Sequence, residues 1–425
     1  MNVQTAIPDA VQSLNDVPPL RVLLTGYRSH PHVGGQGVYL RELACALRDL
    51  GHSVTIASGP PYPEIDEGIA LVKLPSLNLF EVENAFTAFR PGFLTRWADL
   101  SEWASHNVGQ FGELYAFAHR LKRHLADNPD SYDIIHDNQT LSTPFRSIAQ
   151  RHPVVTTIHH PIIIDREFAL QSADGFMDRL FTRQWYRFVT QQAKTMRHMD
   201  HLLAVSEASR VSHVARYGID PDKISVALNG IDHTVFYPDA DTQRQTNLIA
   251  ATSSADVPIK GVDVLMKAFC ALAPTRPDLR LELIGHLRDG PAKRHLEAAG
   301  LEDRVTCRSG VTREEIADLY RRASLVICPA RFEGFGFPAA EAMACGAPVI
   351  ASDGGALPEV VGEAGLIVPA GDDPALRDAM ESLLGDPVRA KALGRAGAIR
   401  AKADFSWPAH AEAAVSLYRK AIARC

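Results

Sequence analysis

The sequence lacks the features that mark secreted, membrane-spanning or nucleic-acid-binding proteins. Its six cysteines are scattered over 425 residues without a C-x-x-C pair, so neither a disulfide framework nor a cysteine-ligated metal is expected, and a reducing compartment is favoured. A net charge of −6 gives no overall attraction to nucleic acid. No apolar run approaches the ~18–20 residues that span a bilayer. Residues 1–19 lack the basic start of a signal peptide.

The chain instead alternates short apolar strands with longer amphipathic segments, which is typical of parallel sheets covered on both faces. We predict strands at 22–25, 54–57, 70–74, 134–136, 154–158, 202–205, 225–227, 248–252, 279–284, 305–308, 325–328, 349–352 and 366–368. These are too many for one ordinary sheet, and the polar stretch 237–247 is the natural linker. The pattern therefore predicts an α/β protein of two Rossmann-like domains with a cleft between them.

A glycine loop, GGQG at 34–37, follows the first predicted strand and precedes a predicted helix at 38–50. Such a loop offers backbone N–H groups to an anion, although it can also be a turn that lets helix and strand pack closely. A NAD site would need G-x-G-x-x-G and an acid at the end of the second strand. This chain has neither, because that strand ends in Ala57 and Ser58. No P-loop motif is present.

Two aromatic-rich segments stand out in the first half, an insert at 76–130 and a basic stretch at 176–200. In the second segment Phe181, Trp185, Phe188 and Val189 recur at helical spacing beside several arginines. A basic amphipathic helix can lie on an anionic membrane or bind an anionic acceptor. It can equally pack its aromatics into the domain core and expose a basic face.

The stretch RFEGFGFPAAEAMACG at 331–346 follows an apolar strand, at the sheet edge where ligands bind in open α/β folds. Pro338 suits the first position of a short helix to residue 345, whose N-terminus carries roughly half a positive charge. The glycine loop and this helix start would therefore hold a diphosphate. Glu333 and Glu341 on either side would accept hydrogen bonds from vicinal hydroxyls, as in a nucleotide sugar. Lys260, after the first strand of the second domain, suits the diphosphate too, although a lone lysine is more often a surface residue.

These segments resemble the retaining family 4 glycosyltransferases of the GT-B fold. Matching stretches run nearly end to end: residues 31–58, 132–139, 154–160 (VVTTIHH), 204–210, 226–238 (VALNGIDHTVFYP), 260–269 (KGVDVLMKAF), 281–285, 317–361 and 405–407 (FSW). The resemblance implies a flexible segment at 1–19 and an acceptor-binding domain at 20–237 completed by a C-terminal helix near 405–425. It implies a donor-binding domain at 238–404.

Roles follow for the residues that match the family's motifs. The resemblance implies that Glu341 holds the ribose diol, Lys260 binds the diphosphate, and Glu333 contacts donor-sugar hydroxyls or stabilises charge on the reacting face. His159 would reach the donor sugar across the cleft, although a histidine at a strand end is often structural. Glu333, His159 and Lys260 are the expected catalytic residues. Further donor contacts are expected at Gly35, Gly37, Ser254, Gly310, Gly334, Phe335, Gly336 and Phe337.

One segment departs from the family pattern. Ser253 and Ser254 stand where the family usually has Gly-Arg, so a second phosphate-binding cation is missing. Either the helix N-terminus and serine hydroxyls replace it, or Arg331 or Arg28 reaches into the site.

The expected activity is transfer of a hexosyl group, with retention, from a UDP- or GDP-linked sugar to an acceptor hydroxyl. No metal and no cofactor are expected. A GT-B nucleotide-sugar epimerase and a non-catalytic sugar-nucleotide-binding protein are the alternatives. The expected partners are the nucleotide-sugar donor and a small-molecule, glycan or lipid acceptor, not nucleic acid. A cytoplasmic location is expected, with peripheral membrane contact through 176–200 as a further hypothesis.

Overall fold

The computed structural model describes residues 18–29, 35–79, 82, 84–253 and 255–424. Within these ranges every predicted strand is found, and each bound lies within two residues of the prediction. The first sheet contains β1 (Arg21–Gly26), β2 (Ser53–Ser58), β3 (Ile69–Lys73), β4 (Ile134–Asn138), β5 (Val154–Ile158), β6 (Leu202–Ala204) and β7 (Ile224–Val226). The second contains β8 (Leu248–Thr252), β9 (Arg280–Ile284), β10 (Val305–Arg308), β11 (Leu325–Cys328), β12 (Val349–Ser352) and β13 (Leu366–Val368).

The strand order places a ligand crevice in each sheet. The first sheet runs β3-β2-β1-β4-β5-β6-β7 and the second β10-β9-β8-β11-β12-β13, with all pairs parallel. The order reverses between β1 and β4 and between β8 and β11, and ligands of open α/β sheets bind outside the carboxyl ends of strands at such points. The glycine loop follows β1, Lys260 follows β8 and the Glu333 loop follows β11. The sheet topology thus brings the predicted site segments to these crevices.

Helices cover both sheets, as the near-continuous burial of the central strands requires. They are α1 (Gly35–Asp49), α2 (Trp97–Asn107), α3 (Glu113–Asp127), α4 (Pro144–Ala149), α5 (Ile163–Gln171), α6 (Gly175–Trp185), α7 (Arg187–Met196), α8 (Glu207–Tyr217), α9 (Val262–Leu272), α10 (Pro291–Ala299), α11 (Arg313–Arg322), α12 (Phe337–Ala344), α13 (Leu357–Val361), α14 (Asp373–Gly385), α15 (Pro387–Asp404) and α16 (Trp407–Ile422). No described helix is long and apolar enough to cross a membrane.

Two local predictions need correction. Lys260 does not begin a helix: it ends a single 3₁₀ turn, Pro258–Lys260, and α9 starts two residues later after Gly261, whose φ is +65°. The stretch 176–200 is not one helix, because α6 and α7 meet at Tyr186. Helix α7 buries Val189 and Met196, whereas α6 buries none of its residues.

The last helix, α16, returns to the first domain. Its Tyr418 is buried and hydrogen-bonded to Nδ1 of His136 in β4. His410 lies 3.0 Å, Nε2 to Oη, from Tyr39 of α1. Trp407, Val415 and Leu417 belong to the same apolar cluster as Leu43 of α1. The C-terminal residues are therefore part of the core around the first sheet.

Candidate active site

The short helix α12 begins at the end of the loop that follows β11. Its N-cap, Gly336, has a φ of +99°, and a Cβ there would lie 2.8 Å from Cδ2 of Leu357. The conformation therefore favours glycine, and a Cβ would also require the Leu357 side chain to shift. Pro338 occupies the first turn, where a missing N–H costs nothing. The helix start and the N–H groups of the preceding loop form an electropositive wall suited to an anion.

This wall faces a cleft of ≈ 750 Å³ between the two sheets. The structure brings most predicted site residues to its lining: Gly35, His159, Lys260, Gly310, Glu333, Gly334, Phe335, Gly336, Phe337 and Glu341. Gly37 is not in the lining and lies buried in the first turn of α1. Ser254 lies outside the described residues, while Ser253 lines the cleft.

Lys260 and Glu333 form an ion pair in the cleft, with Nζ 2.7 Å from Oε1. Both side chains are mostly shielded from solvent. Burial lowers the pKa of Lys260, but the adjacent Glu333 carboxylate outweighs it and the net pKa is raised. The backbone of Glu333 is fixed by a bridge to Gly355 and by accepting from Ala356 N–H at 2.9 Å. The lysine is therefore charged and held at the helix start before any substrate arrives.

Glu341 lies in the second turn of α12 on the cleft wall. Burial raises its pKa to about 8, and the neighbouring Glu42 carboxylate adds to this rise. Arg313 opposes both, since its cation favours the carboxylate. Arg313 itself pairs with Glu42 at 2.6 Å and with Asp232 at 3.4 Å. Glu341 is thus a carboxyl group whose ionised form lacks a direct cationic partner among the described residues, so hydroxyl donors would stabilise it.

His159 follows β5 on the opposite wall and is 8% exposed. Burial lowers the pKa of its imidazole to about 3, and the nearby histidines 160, 410, 136 and 213 lower it further. The ring packs edge-to-face against Tyr39 at 4.8 Å. A neutral imidazole held in one orientation can hydrogen-bond a sugar hydroxyl without bringing a charge to it.

The two domains touch at the floor of the cleft. A Cβ on Gly334 would lie 2.2 Å from the carbonyl oxygen of His159, so only glycine permits this approach. Ser206 Oγ donates to the Gly334 carbonyl at 2.6 Å. The Glu359 carboxylate of the second domain accepts from Glu207 N–H at 3.0 Å and Ala208 N–H at 3.1 Å, at the start of α8 in the first domain. These contacts join the two domains beside the cleft.

The arginines considered as replacements for the missing phosphate cation are engaged elsewhere. Arg331 makes two hydrogen bonds of 2.8 Å to Asp263. Arg28 makes bonds of 2.7 and 2.9 Å to Glu113. Neither guanidinium lines the cleft. Backbone N–H groups, Ser253 and Lys260 remain to hold a phosphate on this side.

Several cleft residues had no role assigned from the sequence, among them His160, Asp165 and Asn229. His160 and Asp165 form a pair of 2.7 Å on the wall of the first domain. They are five residues apart, and only the turn into α5 brings them together. Asn229 is fully buried at the cleft, and neither atom of its amide has a partner among the described residues. Its place in the segment NGID was the only available signal. No group of three metal-ligating side chains was found among the described residues.

Comparisons with known families match both halves of the chain. Residues 33–235 match the family described as "Glycosyltransferase Family 4". Residues 246–386 match the one described as "Glycosyl transferases group 1".

Relatives of similar length cover nearly the whole chain. The "MMP alpha-(1->4)-mannosyltransferase" of Mycolicibacterium hassiacum is 40% identical over 95% of this chain and 99% of its own. A "D-inositol 3-phosphate glycosyltransferase" of Streptomyces scabiei is 30% identical over 95% and 92%. Among solved structures, sucrose-phosphate synthase from Thermosynechococcus elongatus has a TM-score of 0.72 at 24% identity, covering 96% of this chain and 100% of its own. Anabaena Alr3699/HepE in complex with UDP-glucose has a TM-score of 0.66 at 17% identity, covering 95% and 98%.

Proposed function

The chain belongs to the family 4 glycosyltransferases, and from that premise we propose that it transfers a hexosyl group from a nucleoside diphosphate sugar to a saccharide hydroxyl, with retention. The predicted GT-B fold is confirmed by the two parallel-sheet domains and by the structural neighbours. The observation that carries the proposal is the arrangement around α12. The start of α12, Lys260, Glu333 and Glu341 line one cleft, and Lys260 is paired with Glu333.

The diphosphate would bind at the loop and first turn of α12. The backbone N–H groups of this loop and first turn, together with the helix dipole, favour negative charge there. Lys260 supplies the cation, since its ammonium is held 2.7 Å from Glu333 beside this loop. As the bond to the sugar breaks, the same groups would stabilise charge growing on the leaving phosphate. The proposal therefore includes neither a metal ion nor a cofactor.

The two carboxylates would hold the hydroxyls on either side of the diphosphate. Glu341 would accept from the ribose diol, and Glu333 from the transferred sugar. His159 would contact that sugar from the opposite wall. The acceptor hydroxyl would attack the anomeric carbon of the sugar from the face that the diphosphate leaves. It would lose its proton to the departing phosphate. Closure through Gly334 and Glu359 would exclude water from this step.

The acceptor side of the cleft favours an uncharged sugar. The lining from the first domain includes Gln36, Val38, His160 and Asp165, and no lysine or arginine among the described residues. On the first-domain side, a phosphorylated acceptor would meet the carboxylate of Asp165 and no lysine or arginine among the described residues, whereas a hydroxyl could donate to this carboxylate. This supports a saccharide acceptor, and the 40% identical mannosyltransferase supports a mannosyl donor.

A donor screen followed by a transfer assay tests the proposed function. GDP-mannose, UDP-glucose and UDP-N-acetylglucosamine are compared by thermal shift, and we expect GDP-mannose to stabilise the protein most. Transfer is then measured with a methyl α-mannoside, an α-(1→4)-linked mannobiose and inositol 3-phosphate, and product should form with the neutral mannosides. Conversion of donor without acceptor would indicate an epimerase. Donor binding without turnover on these acceptors would favour a binding protein. A Glu333→Gln variant with unchanged turnover would exclude Glu333 as a catalytic residue.

We also propose that α6 contacts an anionic membrane surface. Phe176, Met177, Leu180 and Phe181 are exposed on this helix, beside Arg179 and Arg183. Exposed aromatics with flanking cations are typical of helices that lie at a lipid interface. The protein should sediment together with phosphatidylglycerol vesicles, and a Phe176→Ser/Phe181→Ser variant should no longer do so. The exposed Val388 of α15, changed to Ser, is the control. Equal recovery with and without vesicles would refute this contact and leave the transfer reaction untouched.

A further inference from the structure

The last residue of β4 contacts the histidine that follows β5. Asn138 is the last residue of β4, and its backbone lies opposite Thr157 in the neighbouring strand. Its side-chain oxygen lies 2.6 Å from Nε2 of His159. Its side-chain nitrogen donates to the carbonyl of Gln36, in the first turn of α1, at 3.1 Å. The amide is therefore engaged at both ends and is only 1% exposed.

These two contacts fix which atom of His159 carries the proton. A backbone carbonyl only accepts, so the nitrogen of Asn138 must face Gln36 and the oxygen must face His159. Since that oxygen also only accepts, Nε2 of the imidazole must be protonated. In the neutral ring Nδ1 then keeps its lone pair. Nδ1 has no hydrogen-bond partner among the described residues, and it does not belong to the unpaired atoms that are buried from solvent. His159 lines the cleft.

The next residue holds the backbone on which the imidazole is mounted. Gln139 accepts from His159 N–H at 2.6 Å and donates to the His160 carbonyl at 2.8 Å. Its own φ is +54°, a left-handed conformation that costs a non-glycine residue on the order of 1 kcal/mol or more. Gln192 of α7 stabilises this conformation by donating to the Gln139 carbonyl at 3.1 Å. A strained, fully bonded turn of this kind leaves His159 little freedom to move.

We propose that Asn138 is a positioning residue that fixes His159 as the Nε2–H tautomer, so that Nδ1 accepts a hydrogen bond from a hydroxyl of the donor sugar. The assignment of the sugar as ligand rests on the proposed function; the tautomer does not. Because the same amide holds the Gln36 carbonyl, Asn138 also ties the orientation of His159 to the glycine loop. His159 can then recognise a hydroxyl only as an acceptor.

The tautomer can be measured in the unliganded enzyme by ¹⁵N NMR of protein labelled at histidine. His159 is assigned by comparison with a His159→Phe variant, which keeps the aromatic packing against Tyr39. We expect a neutral ring with Nε2 protonated and Nδ1 unprotonated from about pH 5 to 8. A protonated Nδ1, or a mixture of tautomers, would overturn the proposal. This measurement does not depend on which donor or acceptor the enzyme uses.

An Asn138→Asp variant tests, through the pKa of His159, whether the amide lies beside Nε2. A carboxylate beside Nε2 favours the imidazolium, so the pKa of His159 should rise by about 1 to 3 units. The other titratable groups that face His159 are Tyr39, which burial keeps neutral, and the histidines 160, 410, 136 and 213, whose cations would act in the opposite direction. The acid limb of kcat/KM should shift upward accordingly. The matched control is Asn128→Asp, whose amide donates to the His124 carbonyl at the end of α3. Identical pH profiles for both variants would contradict the proposal.

A double-mutant cycle tests whether Asn138 acts through His159. With the active donor, Asn138→Ala should lower kcat/KM by about 10- to 100-fold, by analogy with residues that orient metal-binding histidines. In the His159→Phe background the same change should have little further effect. Additive losses would show that Asn138 acts elsewhere. If no donor is turned over, the proposed function fails, while the NMR result still decides the tautomer.

Discussion

Replacing Glu341 by Gln should separate stability from donor binding. Burial raises the pKa of this carboxyl from 4.5 to about 8, so the folded protein prefers the protonated form. The folded state then binds more protons than the unfolded state between these values, and stability falls as pH rises through this range. At 1.36 kcal/mol per pKa unit, the loss reaches about 5 kcal/mol above pH 8. Gln cannot ionise, so Glu341→Gln should be more stable than the wild type at pH 9.

The same variant should lose the pH dependence of donor binding. If the ribose diol binds the carboxylate, the apparent Kd rises as the ionised fraction falls. With a pKa of about 8, affinity for a nucleotide sugar should weaken by about 80-fold from pH 8.5 to pH 6. Protonation of other cleft histidines would strengthen binding of an anion at low pH, which is the opposite direction. In Glu341→Gln affinity should be low and nearly constant with pH.

The assays are urea denaturation at pH 5 and pH 9 and calorimetric titration of the active donor between pH 6 and 8.5. Exposed Glu363, changed to Gln, is the matched control in the same domain. A donor analogue that lacks the ribose 2′ and 3′ hydroxyls should bind without this pH dependence. The reasoning is refuted if Glu341→Gln is destabilised at pH 9, or if the analogue keeps the full pH dependence of the donor.

Three further substitutions have defined outcomes. Lys260→Ala should lower kcat by about 100- to 1,000-fold, because it removes a cation that stabilises the leaving phosphate and leaves Glu333 unpaired; steady-state kinetics measure this. Gly334→Ala places a Cβ 2.2 Å from the His159 carbonyl and should abolish transfer while increasing the radius of gyration in small-angle X-ray scattering. Glu359→Gln should weaken the cap at the start of α8 by about 1 kcal/mol and lower kcat/KM through a less populated closed state.

Each of these variants has a control of the same chemical type. Lys293→Ala removes an exposed lysine of α10, and Gly92→Ala adds a Cβ with nothing within 4 Å. Glu363→Gln is again the control, here for Glu359→Gln. Wild-type scattering from Gly334→Ala, or full activity of Lys260→Ala, would contradict the interpretation of the corresponding contact.

The sequence predicts the fold well because the central strands are buried on both faces. The run Leu325–Cys328 is wholly apolar and buried, so local pattern and tertiary position agree. The segment 176–200 was harder, since its helical periodicity continues across Tyr186 although the chain turns there. Helix α6 exposes its apolar side chains, and periodicity alone does not show whether a face is covered. The domain bounds and the residue roles stay predictions.

The candidate site was predictable at positions that carry motif chemistry, such as Glu333 and Glu341. The side chains that they contact were not predictable, because these contacts depend on how distant segments of the chain pack together. The pair between Lys260 and Glu333 joins residues 73 positions apart. Asn138 meets His159 only because β4 and β5 are neighbours. Such contacts are properties of the strand order rather than of any local pattern.

The return of α16 to the first domain has a consequence for synthesis of the chain. The ribosome makes the first sheet early, but Tyr418 and His410, which bond to His136 and Tyr39 in its core, are made only after the second domain. Until α16 has been made, these two buried polar groups keep only their bonds to Thr157. A chain released early therefore cannot complete the first-domain wall of the cleft. Translation through α16 becomes a precondition for this wall, which the first half of the chain cannot build alone.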